Sequence, residues 1–222
     1  MSTATNVTAQ AVNTIEWLSA SGTTIVVPVY QRQYRWDIGG CEKLLADVRA
    51  VAASNDAHTH FIGSILSSES TAVTTGPDDV AELVLIDGQQ RITTLMLLVA
   101  ALHHTVRADN PVLAAELERV LVRASDPHRT KLRPHRAWAE VFEKVVLEKT
   151  GEHEARDSRF DDNYAFFRSQ IRADEVAHIW RGLQKLEHVS ITLGAQANAQ
   201  QIFESLNATG EPLRDHELIH NY

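Results

Sequence analysis

An apolar run from Glu82 to Ile86 passes through Asp87-Gly88 straight into a long apolar stretch, Gln89 to about Val106. Period-two patterning on one side and helical spacing on the other read as a strand turning into a helix over a single glycine. Such a junction presents free backbone N–H groups and a dipole end that favours negative charge, and glycine lets a ligand approach the backbone. Asp87 sits where a cation or a water can be held. Arg91, one turn in, adds a planar fork for phosphate oxygens. The alternative is an Asp-Gly turn that merely caps a core helix. Against it stand Gln89, Gln90 and Arg91, with Thr93 and Thr94 behind them, at the start of an otherwise apolar helix. A core helix needs no such polar cluster.

Around that junction the pattern is mixed. Three further β-rich runs occur at Thr24 to Val27, Phe61 to Leu66 and Val189 to Leu193, and a Ser/Thr/Gly/Pro/Asp stretch from Ser67 to Asp79 reads as a hairpin loop. Helical patterns occupy about Gly40 to Ala53, Pro111 to Ala124, His135 to Lys149, Asp161 to Gln170, Asp174 to Leu186 and Asn198 to Asn207. The expected fold class is therefore mixed α/β: a small sheet mostly from the first half, a helix-rich lobe, and a last strand that returns across a helical insertion. The boundaries expected are an N-terminal segment at 1–22, an α/β core at 23–110, a helical lobe at 111–187, and at 188–222 the return strand with the start of a further helical region. The helical start at Arg214 to His220 runs to Tyr222 without a stop signal, so the sequence reads as a fragment of a longer protein.

Composition narrows the function. The 222 residues are 44% hydrophobic, enough for a core, and no apolar run reaches membrane-spanning length. The polar, Thr-rich start from Met1 to Gln10 carries no signal pattern, which points to a cytoplasmic protein without membrane partners. The single cysteine, Cys41, excludes an internal disulfide and a cysteine-based zinc knuckle, and no basic partner near it in sequence suggests a thiolate nucleophile. A net charge of -8 argues against a general nucleic-acid binder. Two basic stretches stand out locally: Gln31 to Trp36 with two arginines, and Arg129 to Arg136 with four cations, each without an acid. Either can touch a phosphate backbone; the second can equally be a solvated loop.

Val29-Tyr30-Gln31-Arg32-Gln33-Tyr34-Arg35-Trp36 interleaves rings with guanidinium and amide groups, the side chains that base stacking, phosphate contact and base-edge pairing use. It can also be a strand edge with Tyr34 and Trp36 packed inward, and Pro28 makes it an edge or loop in either case. His216-Glu-Leu-Ile-His220 spells the zinc-peptidase signature H-E-x-x-H, but only Asn221 and Tyr222 remain to supply a third ligand, so that reading is set aside. Asn207-Ala-Thr-Gly-Glu-Pro-Leu213 is either a plain turn closing a helix or a second wall of a nucleotide pocket. No P-loop is present, so nucleotide hydrolysis would have to use the Asp87–Arg91 junction.

Asp87-Gly88-Gln89-Gln90-Arg91 followed by Thr93-Thr94-Leu95 resembles the DGQQR domain of GmrSD-type modification-dependent restriction proteins, most of all the SspE-type effectors of phosphorothioate-based phage defence. Val27 to Trp36, Phe61 to Ile65, Leu132-Arg-Pro134 and Phe203 to Leu213 match further landmarks in consistent order. The resemblance implies a ParB/sulfiredoxin-like sheet core with a helical lobe and, further along the same protein, an HNH-type nuclease region. It further implies a nucleoside triphosphatase that senses modified double-stranded DNA. Asp87, Gln89 and Arg91 would be catalytic, with Mg²⁺ held at Asp87; Gly88, Gln90, Thr93, Thr94 and Asn207 would bind the nucleotide. Val29, Tyr30, Gln31, Arg32, Arg35 and Trp36 would meet the DNA. A sulfur in place of a phosphate oxygen needs a partly apolar pocket, which Val29 and Tyr30 can supply, with Gln31 or Arg32 as the polar grip. The rival reading is a non-catalytic DNA-binding module whose DGQQR loop holds a DNA phosphate. Sensing and turnover are expected to separate by mutation at Tyr30 or Gln31.

Overall fold

A computed structural model describes residues 7–31, 33–54, 58–70, 81–134, 136–149 and 159–194. The fold class is mixed α/β, as expected. Six strands form one mixed sheet: β1 (Val7–Asn13), β2 (Thr23–Val26), β3 (His60–Glu69), β4 (Ala81–Asp87), β5 (Leu132–Arg133) and β6 (Leu186–Leu193), in the order β1-β6-β3-β4-β2-β5. The helices are α1 (Thr14–Ser19), α2 (Ile38–Ala53), α3 (Gln89–Val106), α4 (Pro111–Leu121), α5 (Arg136–Leu147), α6 (Arg159–Gln170) and α7 (Val176–Leu183).

The four β-rich runs are all strands, and the last does return to the sheet. β6 pairs parallel with β3 and antiparallel with β1, across the helices that separate it from β4. Two strands were not anticipated. Val7 to Asn13 pairs residue for residue with Leu193 to Glu187, although its own side chains are largely exposed and carry little apolar signal. Leu132–Arg133 is a two-residue strand, too short for any periodicity, held because Ile25 and Val27 donate to the carbonyls of Lys131 and Arg133 at 2.9 Å each.

Helix boundaries follow from their caps. Asp37 accepts from Gly40 N at 2.9 Å and starts α2 two residues before the expected Gly40. Asn110 and Pro111 start α4, and Asn13 accepts from the amides of Ile15 and Glu16 to start α1. The pattern read as one helix from Asp174 to Leu186 is a short 3₁₀ turn, then α7, and Leu186 already belongs to β6. Helix α3 is buried on nearly every face, from Ile92 to Leu102 without a break, and packs against α4, α5, α6 and α7. A helix hydrophobic all round belongs in the middle of its layer, and here it is the axis of the helical lobe. The calls on Arg32, Asn207, the Phe203–Leu213 landmark and the H-E-x-x-H run fall outside the described residues, as do the helix expected at Asn198 to Asn207 and most of the expected hairpin loop.

Candidate functional site

Strands β5, β2 and β4 run parallel, so their carboxyl ends open on one edge of the sheet. Ligands in open α/β sheets gather at such an edge. Val26 there leads into Val27–Gln31, and Asp87 leads over Gly88 into α3. Parallel pairing of Val26 with Val84 brings the two segments singled out by sequence side by side.

Gly88 takes φ +93°, and a Cβ at this position would meet Ile65 Cγ1 at 3.1 Å, so only glycine suits both the turn and the contact with β3. Gly88 stands at the N-cap of α3, with no side-chain cap hydrogen bond there. Asp87 points outward, its side chain 58% exposed, with Oδ2 at 3.5 Å from Arg91 Nη2. Arg91 itself is buried and donates from Nη1 to Ile62 O at 2.6 Å. The guanidinium is thus a fixed charge under the junction rather than a mobile finger.

The remaining members of the motif face inward. Gln90 acts as a two-point clamp on the neighbouring segment: its Oε1 accepts from Arg35 N at 2.8 Å and its Nε2 donates to Gln33 O at 3.2 Å. Thr94 is fully buried, donates to Gln90 O at 2.8 Å and shares a 2.7 Å hydrogen bond with the Tyr34 hydroxyl. Thr93 is buried as well, and Gln89 is 8% exposed. Gln90 and Thr94 thus tie the start of α3 to the Gln33–Arg35 segment, Gln90 through that segment's backbone and Thr94 through the Tyr34 hydroxyl.

The Tyr30 to Trp36 segment divides in the same way. Gln31 N closes a turn onto Pro28 O at 3.1 Å, placing Val29 and Tyr30 at its tip; Val29 is 72% exposed, and partial burial raises the Tyr30 phenol. Gln31 is buried, and its Nε2 donates to Leu85 O at 2.9 Å and Ile86 O at 2.6 Å. The Nε2 of that amide is committed to the end of β4, one residue before Asp87. Tyr34 and Trp36 are buried in the core, in line with the inward-packing alternative, so Trp36 offers no stacking surface to DNA. Arg35 remains exposed, and no side-chain partner meets its guanidinium among the described residues.

Two residues at this site gave no sequence signal. Asn163 of α6, 1% exposed, donates to the Tyr34 hydroxyl at 2.8 Å and to Trp36 O at 3.0 Å. His188 of β6 is fully buried, with Thr14 Oγ1 at 3.0 Å from Nδ1, and burial together with the nearby Arg91 charge lowers it to about 4. It supplies a neutral neighbour to Arg91. Asn163 sits in a stretch whose helical pattern explains it, and His188 falls between the expected helix and strand, one residue before the expected strand start, so nothing set either apart in sequence.

Three cations of the basic stretch from Arg129 are engaged within the fold. Arg129 pairs with Glu143 at 2.9 Å and Arg133 with Glu82 at 2.7 Å, while buried Lys131 donates to the carbonyls of Leu18, Ala20 and Arg119. Cys41 is fully buried on α2, and burial pushes its thiol up to about 12, which excludes it as a nucleophile. Among the described residues no group of three His, Cys, Asp or Glu could hold a metal ion, and no helix is long and apolar enough to cross a membrane.

No curated protein matches the chain. A family model described as the N-terminal domain of the GmrSD restriction endonuclease matches residues 15–222, nearly the full length and the whole of the site described above. The chain belongs to the GmrSD restriction endonuclease N-terminal domain family.

Proposed function

We propose that this domain is the nucleotide-hydrolysing sensor of a DNA restriction effector of the SspE type, which reads modified DNA, phosphorothioated DNA in the first instance, and passes the signal to a nuclease region of the same protein. The single observation that carries the reading is the Gln31 amide bonded to the Leu85 and Ile86 carbonyls. It makes the Val29-Tyr30 tip, exposed at Val29 and half-buried at Tyr30, and the Asp87-Gly88 junction one mechanical unit. Val29 and the Tyr30 ring offer the soft surface that sulfur needs. The amino end of α3, at the Gly88 turn, is where phosphate oxygens would dock, Gln89 stands at the first turn, and buried Arg91 sets a positive field beneath developing charge. The donor set fits Mg²⁺, which binds through one or two carboxylates and substrate phosphates and otherwise keeps its waters. Asp87 is the exposed carboxylate that would hold it, and the ion would neutralise triphosphate charge.

Arg91 locked on Ile62 favours a second reading, in which the junction holds a DNA phosphate without turnover. Phosphate release separates the two. With phosphorothioated, methylated and plain duplexes added in turn, the modified duplex that the domain reads is expected to raise turnover roughly five- to a hundred-fold, the scale of ordinary coupling between sites. Because Gln31 holds the β4 end, Gln31→Ala is expected to lower basal turnover as well as stimulation. This revises the expectation that the two separate at that residue. Equal turnover with all three duplexes would defeat the sensor, and no turnover with any would leave the non-catalytic module.

A further inference from the structure

We infer that the cleft beside the sensing segment, between the start of α2 and the start of α6, is a second DNA contact that takes the phosphodiester backbone next to the modification. This inference rests on the DNA-reading function proposed above. The cleft encloses about 640 Å³ and is lined by Gln33, Arg35, Gly39, Arg159 and Asp162, with Asn163 at its floor. Its position follows from the clamps already described. Gln90 holds the backbone at Gln33 and Arg35 from one side. From the other, Arg159 Nη1 donates to Arg35 O at 2.6 Å and Asn163 to Trp36 O. The segment is thereby a rigid rail with the Arg35 side chain projecting from it.

Charge decides what the cleft takes. In a chain of net charge -8, the arginines at 49, 107, 129, 133 and 172 are each paired with a carboxylate. Arg35 is not, and Arg159 is anchored through Nη1 to a neutral carbonyl, which leaves its charge uncancelled. Of the two acids in the cleft, Asp37 is turned onto Gly40 N as the cap of α2. Two arginine forks from different elements suit phosphate oxygens. Asp162 limits the attraction to a short stretch of backbone and keeps plain DNA weakly bound. A nucleoside triphosphate offers the same oxygens, so the test must tell the two sources apart.

The experiment measures affinity for phosphorothioated and plain duplexes by fluorescence polarisation across a salt series, for the wild-type chain, Arg35→Gln, Arg159→Gln and Arg159→Lys, with nucleotide KM in parallel. Each glutamine variant is expected to weaken both duplexes about five- to ten-fold and to reduce the salt slope by about one ion, since a phosphate contact carries no sequence or modification preference. The preference for modified DNA and the nucleotide KM should hold, and Arg159→Lys should restore most of the slope. Arg35 makes no internal side-chain bond, so its variant tests the cleft even if Arg159→Gln loosens the rail. Unchanged slopes in Arg35→Gln and Arg159→Gln, against a wild type that still prefers modified DNA, would refute the cleft alone. A raised nucleotide KM with unchanged DNA slopes would assign the cleft to the nucleotide and overturn the inference. Absence of any DNA binding by the wild type would remove the function on which it rests.

Discussion

Asp87 and Arg91 sit four residues apart in one motif, yet the fold commits them in opposite ways. The aspartate is exposed and its loss disturbs little, whereas Arg91 is buried with Nη1 on Ile62 O. Removing a buried charged donor leaves that carbonyl unpaired and a void beneath Gly88. Arg91→Ala is therefore expected to cost about 1–3 kcal/mol of stability as well as catalysis, and Asp87→Ala no more than about 0.5 kcal/mol. Both should lose roughly 10²–10³ in turnover if the junction is the hydrolytic site. Urea melts alongside phosphate release check this. If Arg91→Ala melted like wild type, the guanidinium would not be the structural strut described here. Sequence alone treats the two as equivalent polar members, because which side chain is spent inside the fold depends on β3, twenty-nine residues upstream.

At the level of elements, α7 crosses α2 closely at Gly182. A Cβ at Gly182 would sit 2.3 Å from Val48 O and 3.0 Å from Ala52 Cβ, and backbone cannot yield as a side chain can. Gly182→Ala is expected to destabilise by about 1–3 kcal/mol or more through overpacking, against the usual gain from alanine in a helix. Denaturant midpoints would show it, and a stabilised variant would contradict the crossing. This contact also illustrates what the sequence left unread. Elements with a strong period of their own were legible: β4, α3, α4 and even the return of β6. Strand β1 was not, since it is specified by its pairing with β6 rather than by its exposed side chains. The site followed the same rule. The Asp-Gly junction was legible from local chemistry as a strand turning into a helix, and the inward packing of Trp36 was one of two readings, but the inward turn of Gln31 and Gln90 was not legible. A glutamine that reads a ligand and one that clamps a backbone look the same until the neighbouring strand is in place.

Across the whole molecule, two buried histidines, His188 on β6 and His104 on α3, share one electrostatic state. His188 lies between Thr14, the ring of Trp17 and the Arg91 charge, and it is lowered to about 4 by burial first and Arg91 second. His104, on α3, meets the Tyr164 hydroxyl at 2.7 Å and Glu148 at 3.4 Å, with His103, Arg107 and Arg168 around it. Burial lowers it to about 4 although Glu148 opposes the shift. An unfolded histidine takes up its proton near pH 6.5, so between about 6.5 and 4 the unfolded chain binds more protons than the folded one. Stability is then fully present above pH 6.5 and falls as the pH drops toward 4. Each histidine adds at most about 1.4 kcal/mol per pH unit to the slope. His188→Asn keeps a polar atom near Thr14 and removes Nε2, which is buried without a partner. This variant is expected to lose about one proton's worth of slope between pH 6 and 4.5. The measurement is a set of urea melts across that range for both proteins. Parallel slopes would mean that His188 is protonated in the fold, and that Arg91 has a charged neighbour in place of the neutral one on which the site's field depends.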